Sequence, residues 1–387
     1  MRVLAQSLVG HFRWGPLGAI AIRNFAVFST PQFPAGGLRK RVTVEGVAID
    51  CRIVETPDPV FDPDALSHRT RVLVRKTAFS LNYRDRAYVL GTALNAPPNT
   101  FAVLGSEFAG EVVACGAEVE GFRPGMRVMA NNSYPAAQPG VPGGLPGNNL
   151  SRELEIIPAA KLARVPDKMS DVEAAAFSIG AQTVFSMIRK LALTPGAAVL
   201  VTGGRSNTSL FAIKALKAQA LDPPVAIYVS TTSERSERAL LEMGVAGVIR
   251  IDPVAPSFAG QGDEGFDAVI DPFYDVHLAP AVHVMKQGAR YTTCGRYNQT
   301  GHLAPLLHPV EPPSPKGLLS RILFFNLQII GNCLGLTSDL EAALAAYKEG
   351  RFPVVIDSVF RDGDAAGFLD RSYNSPERFG KVVYAYF

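Results

Sequence analysis

The 387 residues are 47 % hydrophobic, enough to bury one large or two medium cores, so two domains are expected. A net charge of +3 over this length argues against nucleic acid or an anionic membrane as the main partner, and no apolar run reaches the roughly 18 residues that span a bilayer. Four scattered cysteines, Cys51, Cys115, Cys294 and Cys333, form no CxxC pair, which points to a reducing, cytoplasmic setting without a structural zinc lobe.

Residues 1–40 read as an N-terminal extension, a possible packing arm: the apolar stretch 15–28 is interrupted by Arg23 and Asn24, and no cleavage site follows. From residue 41 the pattern turns to strands. Residues 41–50 and 70–76 alternate as half-buried antiparallel strands do, with Pro57, Asp58, Pro59, Asp62, Pro63 and Asp64 supplying turns between them. Residues 102–116, with Gly105, Gly110 and Gly116, read as a strand-rich element. Residues 135–149 are dense in Pro and Gly, a long irregular loop that either shapes a site or is a plain insertion.

Residues 171–191 have helical periodicity, with Ser170 or Asp171 as N-cap. They lead into residues 197–219, AAVLVTGGRSNTSLFAIKALKAQ: an apolar strand, a Gly203-Gly204 break, then a helix with Leu210, Phe211, Ile213, Ala215 and Leu216 on its apolar side. Strand, glycine turn and helix open a dinucleotide-binding βαβ unit, in which the turn admits a pyrophosphate and the helix N-terminus offers unpaired N–H groups. Gly203, Gly204, Arg205, Ser206, Asn207 and Thr208 are the candidate contacts. Ser206 and Ser209 stand where further glycines are usual, so an ordinary helix start is the competing reading.

A second strand over residues 224–229 suits the βαβ repeat. It ends without the acidic residue that would hold a ribose 2′-hydroxyl. Ser230, Thr231, Thr232, Arg235 and Arg238 follow instead, hydroxyls and guanidinium groups that suit the 2′-phosphate of NADP(H); the alternative is a helix over residues 234–243 capped by Thr232 or Ser233, with its arginines solvated. Residues 266–271 and 289–295 read as two more parallel strands joined by a helix over 277–286, 305–315 as a proline-rich loop, and 321–331 as an apolar strand or helix–strand element. A helix over 340–350 and strands over 353–360 and 380–387 close the chain.

Leu81-Asn82-Tyr83-Arg84-Asp85, residues 105–113 (GSEFAGEVV), 122–128, 199–209 and Gly380-Lys381-Val382-Val383 together resemble the medium-chain dehydrogenase/reductase superfamily, in its zinc-free quinone oxidoreductase and enoyl reductase branch. The resemblance runs from about residue 42 to the end. It implies an α/β fold: a GroES-like β-barrel catalytic domain (41–170, resumed over 331–387) interrupted by a Rossmann domain (171–330), and a homodimer pairing through the apolar run 322–330.

Zinc-dependent members carry a cysteine in the segment matching residues 82–85 and a His-Glu pair after the glycine matching Gly105. This chain lacks both, with Ser106 at the histidine position, and its six histidines offer no metal-ligand spacing. No metal is therefore expected, and the chemistry left is hydride delivery from NADPH to an activated acceptor, an enoyl double bond or a quinone. An imine acceptor, or a scaffold that has lost nucleotide binding, are the alternatives. The resemblance puts Asn82 near the nicotinamide, with Tyr83 and Tyr88 as candidate proton donors and Asp85 beside them; Asp85 pairing with Arg84 or Arg86 to cap a helix is the other reading. The tyrosine donor of several enoyl reductases falls here at Ala93. Asn131, Asn132 and Tyr134 line the family's substrate cleft, Thr183 matches a cofactor-contacting threonine, and Cys294, Gly295 and Arg296 end a strand where the nicotinamide half binds. Cys294 itself reads as a small buried residue rather than a nucleophile.

Overall fold

The computed structural model describes residues 22–28, 40–95, 101–136, 138–258, 265–299 and 315–386. They fall into two compact units, residues 22–178 with 356–386, and residues 179–299 with 315–355.

The first unit is β-rich. Strand β1 (Ile22–Phe28) lies in the segment expected to be an extension and pairs antiparallel with β3 along its whole length, from Ile22 opposite Thr56 to Phe28 opposite Asp50. The stretch 41–50, expected as one strand, is a hairpin: β2 (Lys40–Val44) turns through Glu45 (φ 48°) and Gly46 (φ 77°) into β3 (Val47–Thr56). Two successive left-handed residues make the tight turn whose twist matches the strands, and glycine takes the second at no steric cost. Then come β4 (Arg71–Ser80), α1 (Tyr83–Asn95), β5 (Phe101–Val103), β6 (Glu107–Cys115), β7 (Arg127–Ala130), β8 (Leu154–Pro158), β9 (Leu162–Arg164) and the short α2 (Asp171–Ala174). Ser170 and Glu173 cap α2 reciprocally. The single helix expected over 171–191 is interrupted here, and α3 (Ser178–Leu191) starts afresh at the last residue of the first unit.

The second unit holds a six-stranded parallel sheet. Its elements are β10 (Ala198–Val201), α4 (Asn207–Lys217), β11 (Ala226–Thr231), α5 (Glu234–Glu242), β12 (Gly247–Arg250), β13 (Phe266–Asp271), α6 (Tyr274–Val282), β14 (Met285–Thr293), α7 (Pro315–Phe324), β15 (Gln328–Gly331) and α8 (Thr337–Lys348). The strand order is β12-β11-β10-β13-β14-β15, so the chain reverses direction at β10. This is the doubly wound arrangement whose ligands bind beyond the carboxyl ends of the strands. The 321–331 segment is the helix–strand alternative, and residues 305–314 of the proline-rich loop lie outside the described residues.

The chain re-enters the first unit at Ile356, later than residue 331. Residues 331–349 are held to α3 by Ser186 Oγ donating to Asn332 Oδ1 (2.8 Å), Gln182 Nε2 donating to Leu336 O (2.9 Å) and an Arg189–Asp339 pair (2.8 Å). β16 (Ile356–Phe360), α9 (Ala365–Tyr373) and β17 (Lys381–Ala385) then join the barrel sheet, with order β16-β17-β4-β6-β7-β9 and β8 against β4. α9 has no counterpart in the sequence reading. Its Phe368 packs edge-on against Phe79 (5.3 Å) and Tyr384 (5.7 Å), closing the core of this unit.

Candidate functional site

In the second unit, the turn between β10 and α4 is shaped by exclusion of side chains. Gly203 has φ 58°, and a Cβ on Gly204 would stand 2.5 Å from Val229 Cγ1 and 2.9 Å from Leu240 Cδ1. Gly204 thus lets the turn lie directly on β11, to which it is tied by Gly204 N–H donating to Ser230 O (2.7 Å) and Gly203 N–H to Ser230 Oγ (3.2 Å). Ser206 caps α4 by accepting from Ser209 N–H (3.0 Å), and Ser209 Oγ donates to Thr202 O (2.6 Å). The serines at the expected glycine positions are therefore internal braces of the turn. Asn207 Oδ1, in the first turn of α4, is buried without a hydrogen-bond partner. The left-handed turn, the close backbone approach and the α4 N-terminus fit a dinucleotide.

The residues proposed to hold the adenosine end divide. Ser230 is fully buried and braces the turn, and Thr231 Oγ1 accepts from Ser233 N–H (3.1 Å), so both support the loop from within. Ser233 caps α5. Thr232 and Arg235 are exposed; Arg238, exposed too, pairs with Glu242 along the helix (3.1 Å). Thr183 is buried in α3, its carbonyl accepting from Asn332 Nδ2 (3.4 Å). After β14, Gly295 O accepts from Tyr274 N–H (3.2 Å), and Arg296 is exposed. Burial pushes the Cys294 thiol up to about 12, where it is no nucleophile; Thr208 hydrogen-bonds it.

In the first unit the segment after β4 carries a dense polar network. Lys381 Nζ, on β17, donates to Glu107 Oε2 (2.8 Å), Asn82 Oδ1 (2.9 Å) and Leu81 O (3.3 Å). Asn82 Nδ2 in turn donates to Ser106 Oγ (3.1 Å) and Glu107 Oε2 (3.2 Å), and Ser106 Oγ donates to Asp85 Oδ2 (2.5 Å). Ser80 and Ser178 hydroxyls, each 3.2 Å away, complete the shell of Glu107, and Asn132 Nδ2 donates to Ser178 Oγ (3.1 Å). Glu107 is fully buried and Lys381 nearly so. A buried ion pair persists when its remaining polar atoms are satisfied, as they are here.

Both ends of the Asn82 amide have partners inside the protein, so its side chain braces the segment after β4. Asp85 follows the capping alternative, accepting from Asn82 N–H (2.7 Å) and pairing with Arg84 (2.9 Å). Burial pushes its carboxyl above the usual range, against the pull of Arg84 and of the bonds from Ser106 and Asn82. Tyr83 lies under the Arg86 guanidinium, 4.2 Å from its ring centroid, and accepts a hydrogen bond from Arg86 at its hydroxyl. Tyr88 packs on the barrel core, Asn131 is buried with Nδ2 donating to Ala160 O (3.3 Å), and Tyr134 is 48 % exposed. Sequence reasoning did not single out Glu107 or Lys381 as site residues, although both lie within quoted motifs.

Residues 68–167 match the alcohol dehydrogenase GroES-like domain. The chain is 25 % identical over 347 residues to the acryloyl-coenzyme A reductase of Metallosphaera sedula, covering 84 % of this chain and 94 % of that protein. These matches give the chain an alcohol dehydrogenase-type GroES-like domain over residues 68–167 and a similarity to a reductase along most of its length. A 129-residue stretch is 35 % identical to the mouse synaptic vesicle membrane protein VAT-1 homolog-like, covering 33 % of this chain and only 27 % of that one. In fold, a thermostable alcohol dehydrogenase from Pyrobaculum aerophilum superposes with a TM-score of 0.71 at 24 % identity, over 95 % of this chain and all of that one. The resemblance to the medium-chain dehydrogenase/reductase superfamily puts two zinc-ligand positions at Ser106 and within the 82–85 segment. Here Ser106 and Asn82 lie 3.1 Å apart, beside the Asp85 and Glu107 carboxylates, and the Lys381 ammonium is paired with Glu107. A cluster without cysteine or histidine, whose carboxylates are taken up by a fixed cation and internal hydrogen bonds, is a poor donor set for zinc.

Proposed function

We propose that the chain is an NADPH-dependent, zinc-independent reductase that delivers hydride to an activated double bond, an enoyl or otherwise carbonyl-conjugated C=C, or a quinone. The observation that carries the reading is the Lys381–Asn82–Ser106–Asp85 chain at the superfamily's metal position. Without a Lewis acid to stabilise an alkoxide, alcohol oxidation has no driving group, whereas an acceptor already polarised by conjugation needs only hydride and a proton. The similarity to an acryloyl-coenzyme A reductase supports the same chemistry.

The nicotinamide, when bound, supplies the hydride. The turn at Gly203–Gly204 and the α4 N-terminus hold the pyrophosphate, and Thr232 and Arg235 receive the 2′-phosphate. Tyr83 gives the proton to the reduced acceptor, and the Arg86 guanidinium at its hydroxyl faces the oxygen that carries charge afterwards. Titration of the purified protein with NADPH and NADH, repeated with Arg235→Ala, tests the reading together with an enone and quinone panel. NADPH binding that weakens in the variant, with turnover of an enone, supports it. Binding of neither nucleotide at millimolar concentration overturns it.

The chain is further proposed to form a homodimer through the β15 edge of the parallel sheet. Leu319, Leu323 and Phe324 of α7 are 62 %, 71 % and 76 % exposed, and Ile329 of β15 is 38 % exposed. Light scattering of Leu323→Glu would show monomer if the reading holds.

A further inference from the structure

The second unit contains a buried polar cluster with no part in the chemistry above. Asp271, the last residue of β13, is fully buried. Its Oδ1 accepts from Thr202 Oγ1 (2.6 Å), Phe273 N–H (2.7 Å) and His277 Nδ1–H (2.9 Å). Its Oδ2 accepts from Tyr291 Oη of β14. Thr202 and Tyr291 are fully buried and His277 is 5 % exposed, with its ring near those of Phe258 and Phe273. Burying four donors and a carboxyl group is costly unless every group is paired, so this geometry tolerates little displacement.

The cluster's position gives it a consequence. Thr202 is the residue before Gly203, and its carbonyl receives the Ser209 hydroxyl (2.6 Å), so the phosphate turn hangs from Asp271 through Thr202. On the other side, Cys294 N–H donates to Asp271 O (3.4 Å) and Tyr274 N–H to Gly295 O (3.2 Å), while Asp275 accepts from the N–H groups of Tyr297 (2.6 Å) and Asn298 (2.9 Å). One residue thereby ties the ends of β10, β13 and β14, three neighbouring strands at the edge where this sheet type binds ligands.

We propose that Asp271 is a positioning residue for the dinucleotide, holding the phosphate turn at Thr202 and the turn over residues 294–298 in one register so that both halves of the cofactor are gripped together. The inference rests on the nucleotide reading above. A dinucleotide is a two-part ligand: each half gains from the other only while the two subsites keep their spacing. Loosening that spacing weakens the whole ligand and leaves an isolated half nearly untouched.

The test compares NADPH with adenosine 2′-monophosphate, which engages only the end of β11, by calorimetric titration of wild type, Thr202→Val, Thr202→Ser and Tyr291→Phe. Thr202→Val keeps the shape and removes the hydroxyl. The expected result is an NADPH Kd raised about tenfold, an adenosine 2′-monophosphate Kd within about twofold of wild type, and recovery in Thr202→Ser. Tyr291→Phe is expected to give the same pattern. Equal weakening of both ligands, or unchanged NADPH binding in both Thr202→Val and Tyr291→Phe, overturns the proposal. Wild-type protein that binds neither NADPH nor NADH overturns the nucleotide reading itself, and the proposal with it, before any substitution is made.

Discussion

Lys381 Nζ lies 2.9 Å from Asn82 Oδ1, joining β17 to the start of α1 across 299 positions of sequence. The same ammonium neutralises the fully buried Glu107 at 2.8 Å. Removing the lysine leaves a buried carboxylate without its counter-charge. Lys381→Met is therefore expected to destabilise the first unit by about 3–5 kcal/mol in urea denaturation, and the double variant Lys381→Met/Glu107→Gln to recover much of that loss.

Gly204 admits no side chain, since a Cβ would meet Val229 Cγ1 at 2.5 Å and Ser230 O at 3.0 Å. Gly204→Ala must push the turn away from β11 or distort the strand. A stability loss of about 1–3 kcal/mol is expected, with NADPH affinity falling further than stability alone would require. Thermal denaturation and fluorescence titration on the same sample check both.

Asp357 gives the acid limb of stability a named contributor. Burial alone would raise its carboxyl, but the Arg371 guanidinium at 2.6 and 2.8 Å, Phe379 N–H at 2.8 Å and the Ser358 hydroxyl outweigh this and hold it below the usual carboxylate range. A lowered folded-state value means the unfolded chain binds the proton first. The stabilisation is thus complete above the unfolded value of about 3.9 and is lost as pH falls through the folded one. Stability of Asp357→Asn, followed by denaturant melts below pH 5, is expected to show a shallower acid decline than wild type.

The cysteines separate by environment. Burial pushes both Cys51 and Cys294 up to about 12, while Cys333 is exposed. At pH 8 a thiol of that kind holds roughly a thousandfold less thiolate than an ordinary one. Iodoacetamide with peptide mass spectrometry is expected to label Cys333 first and to leave Cys51 and Cys294 unmodified in the folded protein.

The Rossmann-type sheet and the GroES-like strands were legible because their signals are local. Apolar runs ending in Gly203-Gly204, Ser170 three positions before Glu173, and alternation along β4 are each written within a few residues. Even the misread hairpin at Glu45-Gly46 had a local cue, a glycine in mid-pattern. The serines of the dinucleotide turn were visible as departures from the glycine pattern, but not their purpose, since Ser209 answers to Thr202 and Ser230 to Gly203.

By itself the sequence determined most strands and helices of the parallel sheet, the α/β class, and the absence of a cysteine or histidine at the metal positions of the superfamily it resembles, because periodicity and residue chemistry need no partner to be read. Only the tertiary structure decided that Asn82 is spent within a network, that Glu107 and Lys381 form its ionic centre, and that Asp271 joins three strand ends. Those groups lie up to 299 positions apart, as Asn82 and Lys381 do. A buried polar side chain looks like a surface one in a sequence; what distinguishes it is the partner that satisfies it, and that partner is fixed only when the chain folds back on itself.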